Sequence, residues 1–177
     1  MKKFLSLALA LTLAAALLAG CAKQNGGAGS SASTDKTPEE LTQLYADAIT
    51  ENGGEMVEYN PVITQAAEDD GSAALLESLG LKAEDMSAFA VSTSMMNVKA
   101  YGIAAVMPSE GKADAVKEAL QGFIDQKQSE FATYLPDQLD VADNAKLETL
   151  EDGTVLMVMC EDQDTVFDAI SKAIQGV

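Results

Sequence analysis

The chain of 177 residues contains no histidine, no arginine and no tryptophan. Without histidine, a Ser-His-Asp or Cys-His catalytic arrangement and a zinc site with histidine ligands are excluded. Without arginine, the planar bidentate contact to carboxylate and phosphate groups is excluded as well. Carboxylates, lysines or tyrosines would have to perform any acid–base chemistry. We therefore expect that the protein is not an enzyme and that it uses no cofactor.

Positive charge is also scarce. Eleven basic residues, all of them lysine, face 28 aspartates and glutamates, so the formal net charge is −17 at pH 7. Binding to phosphate groups requires a basic surface, and nucleic acid is therefore not an expected partner. The same charge disfavours attraction to anionic lipids.

Only two cysteines are present, Cys21 and Cys160. Cys21 follows Leu18-Ala19-Gly20 at the end of an apolar run that starts at Phe4, just after two lysines. This order is typical of a secretory signal, and the four residues ending in Cys21 resemble the lipobox of bacterial lipoproteins. The resemblance implies cleavage after Gly20 and a diacylglycerol thioether on Cys21. A membrane-spanning helix is the alternative, but the run is at the short limit for that role.

These signals divide the chain into three parts. Residues 1–20 are interpreted as a signal peptide, residues 21–36 as the lipidated cysteine with a flexible Gly/Ser tether, and residues 37–177 as one globular domain. The tether has an expected reach of ~20 Å. Without the signal peptide, 9 lysines face 28 acidic residues, a net charge of −19. We expect an exported protein on the outer face of the cytoplasmic membrane, bound to that membrane through the lipid on Cys21.

Periodicity and turn residues predict the elements of the domain. A capping box at Thr37-Pro38-Glu39-Glu40 begins a first helix, which Gly53 ends. Further helices are predicted over 71–79, over 112–134 and from Asp162 onward; strands are predicted over 56–59, 87–93, 98–107, 146–150 and 154–160. Strands that neighbour each other in sequence can pair antiparallel. The order therefore predicts an α+β domain of two layers, a mostly antiparallel sheet of about four or five strands packed by about four helices.

Sulfur-containing side chains and one tyrosine are predicted to be in the core. The tyrosine is Tyr134, on the inner face of the helix over 112–134; the alternative is that Tyr134 and Asp137, near the end of that helix, line a recognition surface. The sulfur-containing residues are Met95, Met96, Met157, Met159 and Cys160. Soft ligation of monovalent copper is their alternative role. Because methionine is a flexible core filler, we expect packing instead, with Cys160 as an inert buried thiol.

An acidic segment before the second helix is the nearest approach to a calcium loop. Compared with the pattern D-x-[DN]-x-[DN]-G-x5-E, the chain keeps Asp70, Gly71 and Glu77, but it has Glu68 and Ala66 where the first ligands belong. The weak candidate ligands are therefore Glu68, Asp70 and Glu77. The alternative is an acidic helix start, which the helix dipole favours.

Four stretches, taken in order and spacing, resemble one family. They are Leu79–Asp85, Met95–Val98, Tyr134–Gln138, and the hairpin Gly153–Cys160 leading into Glu161-Asp162. Together they are similar to the domain-of-unknown-function 4358 lipoproteins of anaerobic Gram-positive bacteria of the Clostridia type. The resemblance extends over about residues 40–174. It implies an anchored extracytoplasmic protein, and it assigns neither an activity nor functional residues.

Three hypotheses for function follow from these observations. The first is a non-enzymatic, lipid-anchored domain that binds a protein partner or a small ligand near the membrane. The second is an extracytoplasmic calcium-binding protein that uses clustered carboxylates. The third is a hydrolase that relies on carboxylates alone, which would need a cleft with two carboxylates ~5–10 Å apart, at least one of them with a perturbed pKa.

Overall fold

The computed structural model describes residues 36–66 and 70–176, without the side chain of Asp70. The α-helices are α1 (Pro38–Asn52), α2 (Asp70–Ser78), α3 (Ala113–Phe131), α4 (Pro136–Asp143) and α5 (Gln163–Gln175). The strands are β1 (Met86–Thr93), β2 (Gly102–Pro108), β3 (Lys146–Thr149) and β4 (Val155–Met159), and short 3-10 helices occupy Glu55–Glu58 and Ala83–Asp85. Over this described part of the chain, no helix is both long enough and apolar enough to cross a membrane.

The four strands form one sheet in the order β1-β2-β4-β3, and all neighbours pair antiparallel. Ala104 on β2 lies opposite Val91 on β1 and opposite Met157 on β4. Strands β3 and β4 form a hairpin, and the connection between them contains Asp152-Gly153, a pair typical of hairpin turns. The predicted α+β class with an antiparallel, helix-packed sheet is confirmed.

Helices pack on both faces of this sheet, because successive side chains of a strand point to opposite sides. Ile103 and Leu156 belong to the apolar cluster that contains the buried residues of α1 and α5. Ala104 and Met157, one position further along their strands, belong to the cluster that contains those of α2 and α3. All five residues of β4 are buried, which is why this strand is apolar throughout.

The first helix begins as the capping box predicts. The Glu40 amide donates to Thr37 Oγ1 at 3.3 Å, and the Thr37 amide donates to Glu40 Oε2 at 2.8 Å. Tyr45, on the buried side of α1, shares a hydrogen bond of 2.7 Å with the hydroxyl of Thr154 at the start of β4. This bond joins α1 to the central part of the sheet.

The strand predicted over 56–59 is wrong, since a 3-10 helix occupies Glu55–Glu58. The amides of Tyr59 and Asn60 both bond to the carbonyl of Met56, so the local chain satisfies its own hydrogen bonds. The outer edge of β1 instead pairs with Ile63, whose amide donates to the Val91 carbonyl at 2.7 Å. A run of four residues carries too little periodicity to separate these alternatives.

The interpretation of residues 94–101 and 132–136 also needs correction. Strand β2 begins at Gly102 rather than at 98, and residues 94–101 form a loop in which Met95 and Met96 are exposed. Helix α3 ends at Phe131, which leaves Tyr134 half exposed rather than in the core. Pro136 then begins the unpredicted helix α4, because proline suits the first turn of a helix as well as a position after its end.

Two glycines provide a matched test of the packing. A Cβ at Gly102 would lie 2.9 Å from Phe123 Cε1 and 3.3 Å from Met157 Cε, whereas a Cβ at Gly122, in α3, would meet no atom within 4 Å. We expect Gly102→Ala to lower the free energy of unfolding by ~1–3 kcal/mol through overpacking. Gly122→Ala should raise it by about 1 kcal/mol through helix propensity. Urea unfolding followed by circular dichroism measures both, and a Gly102→Ala protein as stable as Gly122→Ala would contradict the packing described.

Candidate binding site

A cleft of about 350 Å³ lies at the end of the sheet where β2 begins and β4 ends. Gly53 and Gly54, directly after α1, form one wall together with the first residues of the 3-10 helix. The last residues of the β1–β2 loop and the start of α5 form the others. The volume falls at the small end of the range for ligand pockets in proteins.

Tyr101 and Cys160 lie at the base of the cleft, where β2 begins and β4 ends. Tyr101 is only 1% exposed, and its hydroxyl shares a hydrogen bond of 3.1 Å with the hydroxyl of Ser92. Ser92 in turn donates to the carbonyl of Asn60 at 2.9 Å. Burial raises the pKa of Tyr101 to about 12, so the phenol is neutral at physiological pH. The base of the cleft is therefore polar but uncharged.

Cys160 is confirmed as a buried free thiol. Burial, together with the negative charges of Asp162 and Glu161, raises its pKa to about 12. The thiolate is the nucleophilic form of cysteine, and at neutral pH it is essentially unpopulated here. Cys160 is thus suited to contact a ligand and unsuited to attack one.

The mouth of the cleft carries acidic groups. Glu55, Glu161 and Asp162 line it together with one lysine, Lys99. Lys99 Nζ lies 3.6 Å from Glu161 Oε1, and both side chains are exposed. Within residues 36–66 and 70–176, Glu55 and Asp162 form no ion pair. The cleft therefore has a net negative charge.

Asp162 has an unusual backbone conformation. Its φ of 57° makes it the sole non-glycine residue at positive φ in the described part of the chain. It is the N-cap of α5, a position that normally has extended backbone. Aspartate tolerates the left-handed region better than most residues do. The conformation turns the chain from β4 into α5 with Glu161 and Asp162 beside the cleft.

Exposed apolar side chains concentrate around the same end of the sheet. In the described residues, the exposed large apolar side chains are Tyr59, Met95, Met96, Val98 and Tyr134. We call Met95, Met96, Val98 and Tyr134 the loop surface, because the first three lie on the β1–β2 loop and Tyr134 is bonded to it. Tyr59, 76% exposed, lines the cleft itself.

Two hydrogen bonds hold the β1–β2 loop against the segment that leads into α4. The hydroxyl of Tyr134 donates to the carbonyl of Asn97 at 2.7 Å, and the amide of Ala100 donates to Gln138 Oε1 at 2.8 Å. Three of the sequence stretches singled out above, Met95–Val98, Tyr134–Gln138 and the one ending in Glu161-Asp162, therefore meet at this end. Sequence reasoning did not find the cleft, because Tyr59, Lys99 and Tyr101 carry no local motif.

Of the remaining candidate residues, Glu77 alone has a side chain that the structure describes. The side chains of Glu68 and Asp70 lie outside the described residues, as do Gly20 and Cys21, while Glu77 is exposed on α2. No group of three or more His, Cys, Asp or Glu side chains in the described residues is arranged to hold a metal ion. The calcium hypothesis stays a prediction.

The proposed set of soft ligands for copper is not assembled. Met157 and Met159 are fully buried within the sheet, as predicted for core residues, whereas Met95 and Met96 are 65% and 56% exposed on the loop surface. The prediction that these last two are in the core is wrong. The loop between β1 and β2 is longer than a tight hairpin turn, and so it carries both side chains beyond the sheet.

The thiol of Cys160 provides a pH test. In the unfolded chain it ionises near pH 9, but in the folded protein only near pH 12, so the unfolded state holds fewer protons in between. The raised pKa of the thiol stabilises the folded state fully below pH 9, and this stabilisation is lost as the pH rises toward 12. Comparing unfolding free energies at pH 8 and pH 10.5, we expect the wild type to lose about 1–2 kcal/mol more than Cys160→Ala. Equal losses would contradict a protonated, buried thiol.

One known protein family matches this chain. The family described as "Domain of unknown function (DUF4358)" matches residues 62–160, which extend from the segment paired with β1 to the end of β4. Comparison with curated proteins and with solved structures gives no significant match. The matched region is more than half of the chain and includes the whole sheet, whereas most residues that line the cleft, among them Glu55, Tyr59 and Asp162, lie outside it. The chain belongs to the DUF4358 family.

Proposed function

We propose that the protein is a membrane-anchored extracytoplasmic binding domain and that the cleft, with the loop surface beside it, is its ligand-binding site. The observation that carries this proposal is the concentration of exposed apolar side chains at one end of the sheet, next to the cleft. Isolated apolar residues on a protein surface are ordinary, but a group of them beside a pocket is typical of a recognition site.

The groups in the cleft suit binding better than catalysis. The thiol of Cys160 and the phenol of Tyr101 both have a pKa raised to about 12, so neither is an activated nucleophile or base near neutral pH. The Tyr101 hydroxyl already donates to Ser92, because Ser92 donates its own proton to the carbonyl of Asn60, whereas the thiol of Cys160 keeps a weak donor for a bound molecule. The chain contains no histidine to activate them.

The position of the cleft also suits a tethered domain. The predicted tether joins the fold at Thr37, the N-cap of α1, and the cleft lies beside Gly53 after the other end of that helix. Fifteen residues of α-helix separate the two, a length of about 22 Å. The attachment point and the site therefore lie at opposite ends of α1. A diacylated Cys21 would provide stable anchoring, since two acyl chains hold a protein at a bilayer where one holds it marginally.

The anchor can be tested through the two cysteines. We expect the wild-type protein expressed in a Gram-positive host to incorporate labelled palmitate and to fractionate with membranes. Cys21→Ala should abolish labelling, because the thiol that carries the diacylglycerol is gone. Cys160→Ala is the matched control and should label as the wild type does. A Cys21→Ala protein that is still labelled would refute the anchor.

The binding site can be tested with a library of small molecules. The full chain in a nonionic detergent is screened by thermal shift, and compounds that raise the melting temperature are tested again on variants. Because bound ligand stabilises only the folded state, loss of a contact in the cleft reduces the shift. We expect Tyr59→Ser to reduce it and Glu118→Gln, an exposed change on α3, to leave it unchanged. A library without a stabilising compound, or shifts that Tyr59→Ser leaves intact, would argue against this site.

A further inference from the structure

We infer that the cleft selects ligands that carry an alkylammonium group. This inference rests on the proposed function, since it names the chemistry that the same site recognises. Its observations are the charge around the cleft, the side chains that line it, and one buried polar atom without a partner.

The charge favours a cation. Three carboxylates and one ammonium group line the cleft. The single lysine is 3.6 Å from one of those carboxylates, that of Glu161, so the positive charge is already compensated. Glu55 has no ion-pair partner within the described residues, and Asp162 faces only the N-terminal dipole of α5, which compensates about half a charge, so net negative charge remains for a ligand to neutralise. At such partly solvated sites, each carboxylate a few ångströms from a cation contributes on the order of a factor of ten in affinity.

The rest of the lining favours an organic cation over a metal ion. Among the described residues, Tyr59 is the most exposed large apolar side chain, and it lines the cleft, where its ring is available for a cation–π contact. Met56, Ala100 and Val166 also line it and offer apolar contact to an alkyl chain. Calcium, in contrast, takes six to eight oxygen ligands.

A buried polar side chain faces this space without a partner. Cys160 is 5% exposed and lines the cleft, and no hydrogen bond to it is found within the described residues. Its place in the apolar cluster shared by α1 and α5 puts the side chain on the face of the sheet where the cleft lies. The thiol is protonated, and its sulfur is a weak acceptor. An N–H group of a primary ammonium would provide the donor that the protein does not.

Three probes of equal chain length separate charge from shape: butylammonium, 1-butanol and butyrate. Each is titrated into the full chain in a nonionic detergent at low ionic strength, with calorimetric detection. We expect butylammonium to bind at least about tenfold more tightly than 1-butanol, and butyrate to bind most weakly. Added salt should weaken the binding of butylammonium and leave that of 1-butanol nearly unchanged.

Two substitutions place the cation in the cleft. Asp162→Asn removes a charge and keeps the backbone, because asparagine also tolerates the left-handed conformation. We expect it to weaken butylammonium binding about tenfold, and Tyr59→Ser to weaken it about fivefold. Glu118→Gln removes an acidic charge that is exposed on α3 and does not line the cleft. This control should bind butylammonium as the wild type does.

The outcomes distinguish this inference from the proposed function. Equal affinity for butylammonium and 1-butanol, both reduced by Tyr59→Ser, would overturn the ammonium preference and leave a binding cleft. Butylammonium binding that Asp162→Asn and Tyr59→Ser leave unchanged would overturn the assignment to this cleft. Millimolar calcium that displaces butylammonium completely would replace the organic cation by a metal ion and overturn the inference. The proposed function itself fails only if the library screen also finds no ligand at the cleft.

Discussion

The burial of both faces of the central strands is the constraint on which the rest of this structure depends. Strands β2 and β4 lie side by side in the middle of the sheet, and all five residues of β4 are buried. Such strands tolerate few polar side chains, so both faces need a cover of helices. Helices α1 and α5 contribute buried residues to the apolar cluster on one face, and α2 and α3 to that on the other.

Because the central strands are buried, charged side chains lie beyond the ends of these strands rather than within them. Lys99 lies shortly before β2, and Glu161 lies just after β4. Because the two strands are antiparallel neighbours, the start of β2 and the end of β4 lie at the same end of the sheet. Lys99 Nζ and Glu161 Oε1 are therefore only 3.6 Å apart. The cleft at this end of the sheet thus has a buried, uncharged floor, formed by Tyr101 and Cys160, and a mouth lined by acidic side chains. Such a combination would suit the binding role that we propose, because the buried phenol and thiol are both protonated near neutral pH.

Local sequence patterns were sufficient to predict most helices and strands, but they were insufficient to predict the cleft. The capping box at Thr37, the Asp-Gly hairpin before β4 and the helical spacing of Val116, Leu120 and Phe123 all predict what the structure contains, since each depends on residues within a turn or two of one another. The predictions fail where two local outcomes are close in free energy. Pro136 can end one helix or begin another, and Met95 fits a strand end or a loop. In both places, contacts with distant residues decide, as in the bond between Tyr134 and Asn97.

The sequence by itself determined the α+β class, the apolar character of the central strands and the absence of the residue types on which most catalytic sites rely. It also carries the lipobox-like signal at Cys21, a feature that depends only on neighbouring residues. Only the tertiary structure decided that Tyr59, Lys99 and Asp162 share one cleft and that the loop surface is exposed beside it. The physical reason is one of range. Caps, turns and periodicity act over a few residues, whereas the cleft is defined by strand pairing and helix packing between segments that lie far apart in the chain.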